Sequence, residues 1–285
     1  MSSHQALTRV LTLGTFDGVH LGHRHVIEET VRTAKTFKYL SEIVTFTHPP
    51  DKSKPLITFP DHKMALIATL QPDTITSIEF TPEFSQMTAE DFLLSMKPHT
   101  LILGYDAKIG KERSGDPQHL EHLSKKLHFN LRYLPPVLFN DLPISSSRVR
   151  NAIQAGDLEL VKNLLGRPYS IRSHSIPGEQ RGRLLGCPTL NIDVSSLVLP
   201  PLGVWAVTLN GAPAIANLGY APTFHRQGPA LLEVHLLDPP LPNEPFEVTF
   251  KAYLRPEITF PTPEALKQQI ALDIEQAKLI GKRTG

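Results

Sequence analysis

The 285-residue chain is short of cysteine, of net charge and of long apolar runs. Its single cysteine, Cys187, excludes an internal disulfide and is typical of a reducing compartment. Because 29 basic residues balance 28 acidic ones to a net charge of +1, no excess of one sign indicates a nucleic-acid or anionic-membrane partner. No run reaches the ~20 apolar residues that span a bilayer, and residues 1–9 lack the apolar core of a signal peptide. We therefore expect a cytoplasmic protein.

Two different periodicities divide the chain near residue 168. Up to that point, apolar runs of strand length alternate with segments of helical period, which predicts a mostly parallel, doubly wound α/β sheet. After Tyr169 the pattern becomes two-residue alternation, with glycine and proline between short strands, which predicts a small antiparallel β-barrel. An amphipathic segment that begins at Pro263 predicts a C-terminal helix. We predict two domains, 1–168 and 169–285.

A glycine-rich turn between the first strand and the first helix is the strongest functional signal. The strand Val10–Leu13 is followed by Gly14 and two further glycines, and a helix begins near His23. Such a turn lets the backbone approach an anion, and free N–H groups with the helix dipole favour phosphate there. His20 and His23 lie three residues apart, on one side of a helix, where two imidazoles can donate to a phosphate as its charge increases. A pair of surface histidines is the alternative interpretation.

Three later segments of the first half are candidates for the same site. His48 ends a predicted strand, where ligands bind in parallel sheets, although a loop histidine is the commoner case. Asp106 lies in a glycine-rich, basic loop after the strand Thr100–Leu103, for which a solvated turn is the alternative interpretation. The segment Pro143–Arg150 carries serines and arginines, which bind phosphate through hydroxyls, helix-start N–H groups and guanidinium groups. An ordinary serine N-cap is the alternative there.

The second half has its own polar clusters at residues 181–191 and 232–236. The first cluster joins a glycine loop to the hydroxyl of Thr189 and the amide of Asn191, oxygens that suit phosphates and a hard cation such as Mg²⁺. A plain Pro-Thr turn explains the same residues. In the second cluster Glu233 and His235 share one face of a predicted strand and alternate with apolar residues. On the pattern alone, Glu233 is an exposed strand glutamate.

Three of these segments resemble the signatures of known families. Residues 13–23 resemble the nucleotidylyltransferase superfamily, and more narrowly the GxFDGxHxGH signature of bacterial FAD synthetases. Residues 144–150 resemble the superfamily's Ile-Ser-Ser-Thr-x-x-Arg motif, and residues 186–191 resemble the riboflavin kinase Gly-x-Pro-Thr-Ala-Asn signature. Further matches occur at Gly203–Trp205, Asn217–Gly219, Leu232–His235, Leu254–Arg255 and Phe260. The chain departs from the usual patterns at Ala107, Ile109, Ser147, Ser173, Cys187 and Leu190. Nearly the whole chain thus resembles a bifunctional bacterial FAD synthetase.

The resemblance implies two activities that depend on ATP and Mg²⁺. Riboflavin phosphorylation to FMN is expected in 169–285, and adenylyl transfer from ATP to FMN, giving FAD and pyrophosphate, in 1–168. The implied catalytic residues are His20, His23, Arg150 and Glu233. The implied adenylyltransferase contacts are Gly14, Phe16, Asp17, Gly22, Ser145, Ser146 and Arg148 to ATP, with His48 and Asp106 to the flavin. The implied kinase contacts to ATP are Gly178, Arg181, Gly182, Gly186, Thr189 and Asn191, the last two also holding the metal. The expected partners are riboflavin, FMN and ATP.

Two other interpretations stay open on the sequence alone. One is an enzyme with a single live activity, or a nucleotidylyltransferase for another phosphorylated substrate. Ala107 and Ile109, which replace the usual aromatics of a flavin-side loop, make the adenylyltransferase half the more vulnerable. The other is a flavin- or nucleotide-binding protein without turnover, against which the presence of His20, His23 and Glu233 argues.

Overall fold

The computed structural model describes residues 8–48, 53–177, 189–220, 228–237 and 242–283. Their contacts divide them into two compact units. The first unit runs to Lys54 and from Lys63 to Ser146, and the second takes Pro55–His62 and the chain from Ser147 onward. The segment 55–62 therefore packs with the second unit although it lies in the first half of the sequence. The boundary at residue 168 stays a prediction, since a division by packing does not assign activities.

A five-stranded parallel sheet forms the centre of the first unit, which confirms the predicted α/β architecture. Its strands are β1 (Arg9–Leu13), β2 (Leu40–Phe46), β3 (Thr74–Ile78), β4 (Thr100–Gly104) and β5 (Asn130–Leu134). The helices between them are α1 (Leu21–Phe37), α2 (Pro60–Ala68), α3 (Pro82–Ser85), α4 (Ala89–Met96) and α5 (Pro117–Leu127). The spatial order β3-β2-β1-β4-β5 reverses direction between β1 and β4. Ligands bind outside the carboxyl ends of strands at such a reversal, so the turn after β1 lies where a ligand is expected.

The strands β1, β2 and β4 are buried along most of their length, as expected for a parallel sheet with helices on both faces. Helix ends in this unit carry ordinary caps. Thr88 caps the N-terminus of α4, where its Oγ1 accepts the N–H of Asp91 at 3.1 Å. After β5 a short ribbon, β6 (Leu138–Phe139) and β7 (Leu142–Pro143), leads to α6 (Ser146–Ala155) and then α7 (Leu158–Leu165).

An antiparallel sheet of six strands curls into a half-barrel in the second unit, which agrees with the predicted small barrel. Its strands are β8 (Ser170–Ser173), β9 (Thr189–Asp193), β10 (Gly203–Leu209), β11 (Ala212–Tyr220), β12 (Ala230–Leu236) and β13 (Phe246–Arg255), in the order β8-β13-β10-β11-β12-β9. The predicted C-terminal helix is α8 (Pro263–Arg283). It packs Ile274 and Ala277 against Ala206 and Ile215 on one face of the sheet. Among the described ranges, no helix is long and apolar enough to span a membrane.

Candidate active sites

The two predicted histidines meet at the start of α1. His20 is the N-cap of this helix, and its Nδ1 accepts the N–H of His23 at 3.2 Å. The two imidazole rings stack with a centroid distance of 3.6 Å, and the Phe16 ring meets His23 edge-on at 5.3 Å. Because Nδ1 of His20 accepts a hydrogen bond, the neutral ring carries its proton on Nε2, which makes Nε2 a donor. The turn therefore holds an imidazole N–H donor at a helix N-terminus, where anions bind.

Close contacts explain two of the glycines in this turn. A Cβ atom at Gly14 would lie 2.8 Å from the Phe16 ring, and one at Gly22 would lie 3.1 Å from the His20 ring. The chain between them is tightly turned, since Phe16, Gly18 and Val19 all have φ between 40° and 81°. The predicted ATP-contacting residues of this segment thus belong to one tightly packed turn. In it, the rings of Phe16 and His20 occupy the space that side chains at Gly14 and Gly22 would need.

The predicted Ser-Ser-x-Arg segment begins α6. Ser146 Oγ donates to the main-chain carbonyl of Asp17 at 3.3 Å, which joins this helix start to the turn after β1. The Asp17 residue is itself only 3% exposed. Arg148 and Arg150 follow on α6, in the part of the chain assigned to the second unit, where Arg150 Nε donates to the carbonyl of Pro55 at 2.8 Å. The structure thus brings Ser146 to the phosphate turn.

The predicted flavin-side residues follow the two strands that flank β1. His48 is exposed after β2, and Asp106 is exposed in the turn after β4. Ile109, in the same loop as Asp106, is 4% exposed and belongs to the hydrophobic core, and Ala107 packs against that core. The two departures from the usual aromatic pattern are therefore packing residues of the first unit.

The predicted kinase residues form a polar row on the half-barrel. Glu233 of β12 lies directly opposite Asn191 of β9 on one side and opposite Asn217 of β11 on the other. Residues directly opposite in an antiparallel pair share a face of the sheet, so these three side chains are neighbours. Thr189 lies two positions from Asn191 and therefore shares its face. The predicted contacts Gly178, Arg181, Gly182 and Gly186 lie outside the described residues.

Comparison with known proteins identifies the family of this chain. The FAD synthetase family model matches residues 2–148, and the riboflavin kinase family model matches residues 165–280. A bifunctional riboflavin kinase/FMN adenylyltransferase from Haemophilus influenzae is 34% identical over 94% of this chain and 92% of its own length. Proteins of the same name from Buchnera aphidicola (31%; 93% and 91%) and Escherichia coli K12 (30%; 93% and 90%) are similar over comparable lengths. The chain belongs to the bifunctional riboflavin kinase/FMN adenylyltransferase family.

A solved structure adds a likeness of fold. The crystal structure titled macrolide-efflux protein from Streptococcus pneumoniae superposes with a TM-score of 0.79 and covers 96% of this chain and 95% of that chain. Its sequence identity of 23% limits the likeness to the fold. Enzymes of both matched families use ATP and typically a divalent metal.

The kinase row of this family member is suited to a hard divalent cation. It offers the hydroxyl of Thr189, the amide oxygen of Asn191 and the carboxylate of Glu233, and Mg²⁺ prefers such oxygens together with nucleotide phosphates. Within the part of the chain that the structure describes, no group of three histidine, cysteine or acidic residues is placed to hold a metal ion.

One residue that the sequence did not single out, Glu257, extends this kinase row. Asn217 Nδ2 donates to Glu257 Oε1 at 3.1 Å, and a Cβ atom at Gly219 would lie 2.2 Å from the same carboxylate oxygen. The Glu257 carboxylate thus lies over the glycine, two residues along the strand from Asn217. Two residues before Glu257, Arg255 forms a two-pronged ion pair with Asp273 of α8, which is 2% exposed. The ion pair fixes the end of β13. Because Glu257 follows that end by two residues, its position beside Asn217 is fixed as well.

Buried titratable groups are a further feature that the sequence did not reveal. Burial lowers the pKa of Lys63 to about 8, and the charge of Asp17 opposes that shift. Burial also lowers the pKa of His235, which shares the sheet face of Glu233 and lies opposite Thr189. Lys63 is buried at the turn after β1 and His235 is half-buried beside the kinase row, so each candidate site has beside it a basic group whose pKa is lowered by burial.

Proposed function

We propose that this chain makes FMN and FAD in two ATP-dependent steps at two separate sites. The kinase site phosphorylates the terminal hydroxyl of riboflavin, and the adenylyltransferase site joins the resulting FMN to AMP with release of pyrophosphate. The observation that carries the proposal is the presence of both polar constellations in one chain: the stacked His20–His23 pair after β1 and the Asn191–Glu233–Asn217 row on the half-barrel. We assign residues 1–168 to the adenylyltransferase and 169–285 to the kinase, and we place both reactions in the cytoplasm.

In the kinase step, Glu233 acts as the general base. Its carboxylate accepts the proton of the riboflavin hydroxyl while the oxygen attacks the γ-phosphorus of ATP and ADP leaves. The strand pairings on both sides fix the backbone of Glu233, and a base needs such a defined starting point to reach the hydroxyl. Thr189 and Asn191 would hold Mg²⁺, which neutralises phosphate charge when bound.

In the adenylyl transfer step, positioning and charge stabilisation supply the catalysis. The phosphate of FMN is already an anion, so it attacks the α-phosphorus of ATP without a protein base, and pyrophosphate leaves. The Nε2–H of His20 and the ring of His23 donate to the phosphate oxygens as charge builds on them. Ser145, Ser146, Arg148 and Arg150 add hydroxyl and guanidinium donors, and His48 and Asp106 contact the flavin side.

Chromatographic separation of flavins tests both steps at once. Purified protein is incubated with riboflavin, ATP and Mg²⁺, and samples are taken over time. We expect FMN to appear first and FAD later. FMN without FAD would show that only the kinase is active, and FAD from added FMN without any product from riboflavin would show the reverse. Quenched riboflavin fluorescence without product would favour a flavin-binding protein.

A further inference from the structure

Lys63 is a buried cation beside the phosphate-binding turn of the first unit. It lies in the first turns of α2, and the residue is only 4% exposed. Lysine is rarely buried to this extent, because its ammonium group loses its hydration unless other groups accept its hydrogen bonds. The other charged residue of α2, Asp61, is exposed, so the helix as a whole is not buried. The burial of Lys63 therefore needs a specific cause.

Two main-chain carbonyl groups accept the hydrogen bonds of the Lys63 ammonium. One belongs to Thr15, at 3.2 Å, in the turn that follows β1. The other belongs to Phe46, at the carboxyl end of β2. The Thr15 carbonyl also accepts from Thr45 Oγ1 at 3.1 Å. Lys63 therefore connects the phosphate turn to the end of the neighbouring strand, and the carbonyl of Thr15 is held by two donors.

The turn needs such support because its backbone is strained. Phe16 and Val19 have φ values of 47° and 40°, a region that side chains other than glycine rarely adopt and that persists only when the surroundings enforce it. The rings and side chains of Phe16 and Val19 pack in one buried cluster with Ile67, which lies one helical turn after Lys63. Helix α2 thus contacts the turn twice, once by a charge and once by an apolar side chain.

The direction of the Thr15 carbonyl sets the direction of the next N–H group. In a trans peptide the C=O and the following N–H point in opposite directions, so a carbonyl drawn toward Lys63 turns the Phe16 N–H away from it. We propose that Lys63 is a positioning residue of the adenylyltransferase: it holds the Thr15 carbonyl so that the Phe16 N–H is aimed at the triphosphate of ATP. The inference rests on the proposed function of the first unit.

The test compares Lys63→Met, Lys63→Arg and the surface control Lys125→Met, whose parent side chain is 77% exposed. For each protein, kcat and the KM values for ATP and FMN are measured for FAD formation, and riboflavin phosphorylation by the same protein reports on the second unit. We expect Lys63→Met to lower kcat/KM for ATP at least about tenfold, as a misplaced binding group does. The KM for FMN and the kinase rate should stay within about twofold, Lys63→Arg should restore most of the loss, and Lys125→Met should match the wild type.

Three outcomes would overturn the inference. They are an unchanged kcat/KM for ATP in Lys63→Met, an equal loss of both activities in a folded protein, and a Lys63→Arg variant as impaired as Lys63→Met. If Lys63→Met does not fold, Thr45→Val removes only the second donor to the Thr15 carbonyl and should give a smaller loss of the same kind; no loss would again overturn the inference. Wild-type protein that makes no FAD would instead refute the proposed function.

Discussion

The imidazole rings of His20 and His23 stack 3.6 Å apart while the Nδ1 atom of His20 accepts the N–H of His23. His20 therefore ends the turn and caps the helix with Nδ1, while its second ring nitrogen, Nε2, carries the proton of the neutral ring. Because the helix cap and the proposed phosphate donor are the same side chain, the fold itself fixes the geometry of the proposed anion site. The site and the start of α1 are expected to respond together to substitution.

Replacing His23 by alanine should abolish FAD formation and spare FMN formation. The substitution removes one donor to the charge that develops on the α-phosphate, a loss of about 10²-fold or more in kcat. The rate of FMN-to-FAD conversion and the rate of riboflavin phosphorylation are measured on the same preparation. His122→Ala on α5, where the side chain is exposed, is the matched control and should change neither rate. FAD formation at the wild-type rate by the His23 variant would remove these histidines from the mechanism.

Replacing Glu233 by glutamine should have the opposite selectivity. The amide keeps the size of the side chain but cannot accept a proton, so FMN formation should fall by about 10²- to 10⁴-fold. FMN-to-FAD conversion should stay unchanged, because Glu233 belongs to the second unit and the histidines belong to the first. Glu264→Gln, on the first turn of α8, serves as the control. Equal loss of the two activities in Glu233→Gln would contradict the assignment of two separate sites.

The sequence predicted those parts of the fold and site that depend on local pattern. The strand, glycine turn and helix around His20 are contiguous, and two-residue alternation places Glu233 and His235 on one face of β12. These features need only spacing along the chain and the period of a helix or strand. That Ser146 lies beside the turn followed instead from the resemblance of residues 13–23 and 144–150 to two motifs of one superfamily.

Lys63 and Glu257 could not be found in this way. A lysine in an amphipathic helix is normally expected at the solvent, and only the tertiary structure shows that Lys63 points at two carbonyl groups. Glu257 reaches Asn217 from the end of β13, and the pairing of β10 with β13 shifts register twice between Val204 and Val207. Each shift changes which residues lie opposite one another, so counting along the strands does not place Glu257.

Replacing Gly219 by alanine should weaken the kinase selectively. The new Cβ would lie 2.2 Å from the Glu257 carboxylate in its present position, so the flexible carboxylate must move and its hydrogen bond to Asn217 is lost. Since Asn217 lies opposite Glu233, we expect kcat/KM for riboflavin to fall about fivefold, equivalent to ~1 kcal/mol. Steady-state kinetics of both reactions measures the effect. Gly211→Ala cannot serve as the control, because φ at Gly211 is +88° and a side chain there is strained in itself. Asn217→Ala, which removes the other partner of the same hydrogen bond, is the positive reference and should show a similar loss.

His62 should make the stability of the second unit depend on pH. The residue is 3% exposed, and burial together with the charges of Arg167 and Arg172 lowers its pKa to about 3. An unfolded chain takes up a proton on this histidine near pH 6.5, whereas the folded chain does so only near pH 3. Between these two values the unfolded state binds more protons, so the free energy of unfolding falls as the pH is lowered, by up to about 1.4 kcal/mol per pH unit.

The single tryptophan, Trp205, allows this to be measured for the second unit alone, because it is 1% exposed there. Urea unfolding followed by Trp205 fluorescence gives the free energy at pH 7 and at pH 4.5 for the wild type and for His62→Leu. Protonation of buried carboxylates also lowers the free energy of unfolding at low pH, but by the same amount in the wild type and in His62→Leu. The difference between the pH-dependent losses of these two proteins therefore isolates His62. We expect the wild type to lose more stability than His62→Leu over this range, and the exposed-site control His122→Leu to follow the wild type. Parallel losses in all three proteins would mean that His62 takes up its proton in the folded state as readily as in the unfolded state.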